Sequence, residues 1–254
     1  MKHTLLLTFF CYSLTVSAQS GVFIEPGIGL GATNVKASGR PDYYPFSYGT
    51  SKWMDHPYPV FSYNPSLLIG YKQTKWSLTT GICFLKTGYA NDKVLLYTPG
   101  GTASNGKITE YYHHVVVPLI FSEQFKLGKH CFIRPGFGFA LSYNTAAVEK
   151  FREVNTPSYS SYRYPESNTK IRLTDNDFDR TYFRVVGWEI LRLQMGYVIN
   201  ERLSFIAGPE YQFMLSSFIK DNHNYEINRA LTLKMGISWM LHHKKKPEQP
   251  AGKE

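Results

Sequence analysis

Leu191-Arg192-Leu193-Gln194-Met195-Gly196-Tyr197-Val198-Ile199, then Asn200-Glu201-Arg202, then Leu203-Ser204-Phe205, is the stretch that decides the fold. On either side of a three-residue polar step, large apolar residues alternate with small, polar or charged ones. A period of two is the signature of a strand with one wet and one greasy face. The step is too short for anything but a tight turn between antiparallel neighbours. Working outward, the same alternation recurs in eight segments, at about 21–34, 61–72, 76–89, 111–125, 131–146, 182–200, 203–218 and 229–241. Their connections alternate long and short along the whole chain. A membrane-spanning β-barrel requires that pattern, with generous loops on one side and tight turns on the other.

The apolar rows are Val22, Ile24, Ile28 and Leu30 in the first segment, Phe61, Leu67, Ile69 and Tyr71 in the second, and comparable rows through Leu231, Leu233, Ile237 and Trp239 in the last. The opposite rows hold glycine, serine, threonine and a few charges. In a soluble ligand-carrying barrel the apolar face lines a cavity. Here the polar, narrow face is expected inside and the apolar face against lipid. An open sheet edge in hydrocarbon strands unpaired amides, so closure follows. The fold class is therefore all-β: an eight-stranded antiparallel transmembrane up-and-down β-barrel. Leu193→Arg is expected to be costly and Gln194→Arg mild. One segment resists: strict parity puts Glu189 beside Leu191, and a bulge at 188–190 is expected to turn it inward.

Composition agrees. The 254 residues include 19 Tyr, 17 Phe and 4 Trp, while mean hydropathy is slightly negative. No stretch after the first residues offers the ~20 apolar residues of a helical span. Lys2 and His3 precede the apolar run 5–14, and Val16-Ser17-Ala18 follows. That is the layout of a secretory signal peptide, cleaved after Ala18. The expected organisation is a signal peptide at 1–18, a barrel at 19–241, and a basic, disordered periplasmic tail at 242–254. Cys83 and Cys131 fall on non-adjacent strands and opposite faces, so free thiols are expected.

Even strand count puts both ends on one side, with the turns near 73–74, 127–129 and 200–202 periplasmic. The loops near 35–60, 90–110, 147–181 and 219–228 then face outward. In the lumen, Arg192, Glu210 and Lys234 fall at similar depth, with Glu25 and Arg134 nearer the periplasmic end. An ion network plugging a narrow lumen is expected, since buried charges must be paired. A proton or ion path is the alternative. Outside, aromatic and basic residues interleave: Tyr43, Tyr44 and Trp53 in the first loop, Tyr162, Arg163 and Tyr164 in the third. Such surfaces suit a protein or glycan partner, or packing on outer-membrane lipid and lipopolysaccharide. No nucleic-acid partner is expected.

No catalytic, cofactor or metal site is expected. His113 and His114 are adjacent on a strand and so point to opposite faces. Asp175, Asp177 and Asp179 open like a calcium loop, but Arg180 stands where glycine is needed and Val186 where the closing glutamate belongs. No nucleophile elbow or phosphate loop occurs. A hydrolase working at the outer rim, or a narrow pore, remains as an alternative.

Val115-Val116-Val117-Pro118-Leu119-Ile120-Phe121, followed after a short turn by Phe132-Ile133-Arg134-Pro135-Gly136-Phe137-Gly138, resembles the PorT-like outer-membrane barrels of Bacteroidetes. Gly208-Pro209-Glu210-Tyr211 resembles that family's later Gly-Pro strand. Val116 departs from it, standing where the family often has an acidic residue, and the chain runs on past its last strand. The resemblance implies a bacterial outer-membrane location and, for some members, a role in secretion or motility machinery.

Overall fold

The computed structural model describes residues 20–39, 51–53, 58–73, 75–97, 103–155, 167–172, 183–217 and 224–241. Every regular element among them is a strand: β1 (Gly21–Gly39), β2 (Ser51–Trp53), β3 (Tyr58–Gln73), β4 (Trp76–Tyr97), β5 (Ala103–Glu123), β6 (Phe125–Lys126), β7 (Cys131–Asn155), β8 (Ser167–Arg172), β9 (Val185–Val198), β10 (Leu203–Met214) and β11 (Asn224–Met240). Eight of them, β1, β3, β4, β5, β7, β9, β10 and β11, pair antiparallel with their neighbours in chain order. β11 returns to β1, with Ile28 opposite Met235 and Leu30 opposite Leu233, and closes the ring. The fold is an eight-stranded up-and-down transmembrane β-barrel.

The tight turns lie at one end. Gln73 and Trp76 are directly paired across the first. At the last, the Asn200 side-chain oxygen accepts the N–H groups of Arg202 and Leu203 at 2.9 Å each. Asparagine makes this turn because its short amide mimics a backbone acceptor.

Alternation sets which residues touch what. Leu67 is 61 % exposed and Leu68, the next residue, is fully buried. The outward rows of Leu, Ile, Phe and Val run round the whole wall and include Leu78, Phe84, Leu119, Phe139, Leu193 and Leu233. So large an exposed apolar belt on a closed barrel is a lipid-facing surface. At its edge beside the tight turns aromatic rings meet from strand to strand. Tyr71 meets Trp76 edge-on at 6.4 Å, Trp76 stacks on Phe121 at 6.3 Å, and Phe121 meets Phe137 at 6.2 Å.

Two expectations need correction. The loops placed at 90–110 and in the first part of 147–181 are largely strand: β4 and β5 stay paired out to Tyr97 and Ala103, and β7 continues to Asn155 with β8 alongside. A crossing needs only ~9–11 residues. β7 has 25, so the ribbon projects beyond the bilayer. The bulge expected near Trp188 is also absent. β9 holds one unbroken register against β7 from Tyr197 to Val185, and Trp188 pairs with Met214 on β10. Glu189 therefore faces outward between Phe139 and Phe213. It stands near the outer end of β9, where a carboxylate reaches headgroup water, while Trp188 and Ile190 both find apolar company inside.

Candidate functional site

The lumen is built in layers, and β9 shows their order from the tight-turn end: Arg192, then Ile190, then Trp188, all buried. The first layer is ionic. Arg134 on β7 donates to Glu25 of β1 at 2.7 Å and to the Gln194 side-chain oxygen on β9 at 2.6 and 3.1 Å. Arg192 donates to Ser122 at 2.9 and 3.3 Å, and its Nη1 lies 3.8 Å from the free oxygen of Glu25. Glu210 accepts from Gln212 at 2.6 Å and from Asn64 at 3.4 Å. Lys234 approaches its carboxylate at 3.4 Å.

The five charges singled out from sequence thus fall in two groups: Glu25 with Arg134 and Arg192, and Glu210 with Lys234. Arg192 and Glu210 are directly opposed in backbone register, yet the Arg192 side chain turns to Ser122 and Glu25. All five are buried and sit on the contiguous strands β7, β9, β10, β11 and β1. Small residues make room for them. A Cβ on Gly136 would come within 3.1 Å of Arg192 Nε and 3.0 Å of the Phe121 carbonyl. The glycines of the inner face are therefore the counterpart of the long cations.

The second layer is apolar. Leu68, Cys83, Leu85, Val116, Ile120, Ala140, Ile190, Trp188 and Met214 belong to one buried cluster. Most of it is not visible in the sequence pattern, because these residues interrupt an otherwise polar row. The signal was present in parity: Leu68, Leu85, Val116, Ile120 and Ile190 all occupy inward positions.

The third layer is polar again. His114 is 2 % exposed. Its ring bonds Thr87 at 2.9 Å, bonds the Asn144 side chain, and meets the Trp188 edge at 5.4 Å. Trp188 donates to Ser142 at 2.7 Å. Further out, Glu110 accepts from Tyr89 at 3.0 Å and from Tyr112. His113 and His114 do face opposite sides, but His114 is a satisfied interior residue and not a solvated rim group.

Cys83 is buried in the lumen, Cys131 is exposed outside, and both are free. Among the described residues no group of three or more His, Cys, Asp or Glu is placed to hold a metal ion. Tyr43, Tyr44, Tyr162, Arg163 and Tyr164 lie outside the described residues, as do 1–18, 242–254 and the aspartates at 175–179. Trp53 belongs to β2, which pairs with β4; its side chain is outside the described set.

No protein-family model matches the chain, and no curated protein matches it. Solved structures do. Neisserial surface protein A is 14 % identical, with 89 % of this chain and 100 % of that one covered, at a TM-score of 0.38. The outer-membrane protein OprG of Pseudomonas aeruginosa is 13 % identical over 88 % and 97 %, at 0.40. The outer-membrane protease OmpT of Escherichia coli is 9 % identical over 90 % and 100 %, at 0.43. These are distant likenesses; the fold rests on the closed ladder itself.

Proposed function

We propose that this chain is a non-enzymatic, non-conducting barrel of the bacterial outer membrane, with a structural or interaction role exercised by its outward end. The observation that carries this reading is the pairing of an apolar exterior with an interior whose charges are buried and paired with one another. Charges that hold one another across the lumen, backed by an apolar layer, favour an interior without a continuous wet path. An ion crossing that layer would shed its hydration without compensation.

On this reading residues 1–18 direct export and are removed. The ribbons formed by β4, β5 and β7 lift the loops clear of the membrane, where Tyr43, Tyr44, Trp53, Tyr162, Arg163 and Tyr164 meet a glycan or protein. The PorT-like resemblance favours a partner in secretion machinery.

Reconstitution in planar bilayers tests the interior. The barrel is expected to give no single-channel current, and steady unitary steps would refute the sealed lumen. An assay of the detergent-solubilised barrel against lipid and peptide substrates tests the absence of catalysis. Turnover abolished by His113→Ala would favour a rim hydrolase instead. Crosslinking in native membranes, repeated with Tyr162, Arg163 and Tyr164 replaced by alanine, identifies the partner and asks whether these side chains hold it.

A further inference from the structure

On the outside of the wall, one tyrosine ring is shared by two ammonium groups. Lys86 Nζ lies 3.7 Å from the centre of the Tyr111 ring and 5.8 Å from that of Tyr63. Lys150 Nζ lies 5.8 Å from the same Tyr111 ring. Parity places Lys86, Tyr63 and Tyr111 on the lipid side, and the register shift between His113 and His114 turns Lys150 the same way. Lys86 extends the outward row Leu78, Ile82, Phe84 of β4, and Tyr111 extends Leu119, Val117, Val115 of β5. Lys86 pairs with His113, and Lys150 with Thr109. Lys86 stands one step beyond the apolar row of β4 and Tyr111 two beyond that of β5, while Lys150 reaches the same ring from further out on β7; the cluster lies at the outer edge of the belt, where headgroups begin.

Two like charges this near one another repel. The ring face offsets part of that cost by cation–π attraction. Among the described residues, neither lysine is paired with a carboxylate. Cross-strand salt bridges would be the ordinary way to settle such charges on a sheet. Among the described residues no carboxylate answers these charges, and the headgroup layer is a source of negative charge at this height.

We propose that Lys86 and Lys150, with Tyr111 between them, bracket the phosphate of an outer-leaflet lipid headgroup. The acyl chains of that lipid descend over Phe84, Ile82, Val115 and Val117. The occupant follows from charge complementarity and from continuity with the belt. A soluble anion has no use for the apolar row beneath, and a neutral lipid has none for the lysines. The assignment rests on the outer-membrane reading above.

The test uses the full barrel refolded in phosphocholine nanodiscs, with bound lipid counted by native mass spectrometry. The probes are bisphosphorylated lipid A, the same lipid enzymatically dephosphorylated, and inorganic phosphate as competitor. The expected result is selective retention of the phosphorylated lipid. Lys86→Gln and Lys150→Gln should each weaken it about fivefold, and the pair together roughly twentyfold. Lys126→Gln, exposed at the opposite end, should leave it unchanged. Equal retention by the double variant, equal retention of the dephosphorylated lipid, or full displacement by millimolar phosphate would overturn the assignment. Heat-modifiable gel migration reports folding of each variant. A wild type that never inserts into lipid would remove the outer-membrane reading together with this site. Normal insertion without phosphate selectivity would remove the site alone.

Discussion

Glu25 is the residue on which the ionic layer turns. It is the carboxylate between two guanidinium groups, bonded to Arg134 and 3.8 Å from Arg192. Glu25→Gln keeps the shape but leaves both cations buried beside a neutral amide. Removing one partner of a buried pair costs ~3–5 kcal/mol, and urea unfolding of the barrel in vesicles should show a loss of that size. Glu25→Leu combined with Arg134→Met should recover part of it, a non-additive result that a double-mutant cycle reads directly. At this scale the sequence was partly legible. Charge on an inward position marks a buried ion, so the five charges of the ionic layer could be named; Glu110, buried further out, lay beyond the strand bounds read from sequence. Their grouping could not, because a side chain as long as Arg192 chooses among partners on several strands. The setting of His114 was illegible for a related reason: its partners Thr87 and Asn144 are 27 and 30 residues away, and local pattern carries no information about them.

Elements are where alternation does its work, and β9 is the sharpest case. Leu193 is outward and exposed, so Leu193→Arg should cost ~2–4 kcal/mol near the bilayer midplane, measured by the same unfolding assay. Gln194→Arg is not the mild control that parity alone suggests. The Gln194 oxygen accepts both bonds from Arg134, and a third guanidinium would face two already buried; a loss at least as large as that of Leu193→Arg is expected. A different constraint acts at Gly81 of β4, whose φ is +150° and whose added Cβ would sit 2.8 Å from the Leu68 Cα. Gly81→Ala should destabilise by about 1–3 kcal/mol through strain and strand separation. Strand existence and facing were readable because the lipid face tolerates so few exceptions. Strand length was not. Beyond the membrane no lipid demands an apolar outer row, so the sequence pattern fades although β4, β5 and β7 stay paired there. Glu189 shows strict parity holding where a bulge was expected: its place near the outer edge suffices for a charge on the greasy face.

For the whole molecule, the layered lumen and the apolar exterior are two consequences of one inside-out arrangement. Closure satisfies every strand edge, lipid takes the outward rows, and the interior is left to pair its own charges and pack its own apolar residues. The apolar layer inside, with Trp188 at its centre, is the part least visible in advance, since hydrophobic residues on a polar row look like imperfections until the register shows them meeting. Leu67 and Leu68 are neighbours in sequence with opposite expected surroundings, which makes their methyl groups the natural probe. With leucine and isoleucine methyls labelled in a lipid nanodisc, nuclear Overhauser contacts to acyl-chain protons should appear at Leu67, Leu193, Leu233 and Ile28. They should be missing at Leu68, Leu85, Ile120 and Ile190. Acyl contacts at the second set and not the first, or at both alike, would contradict the assignment of faces.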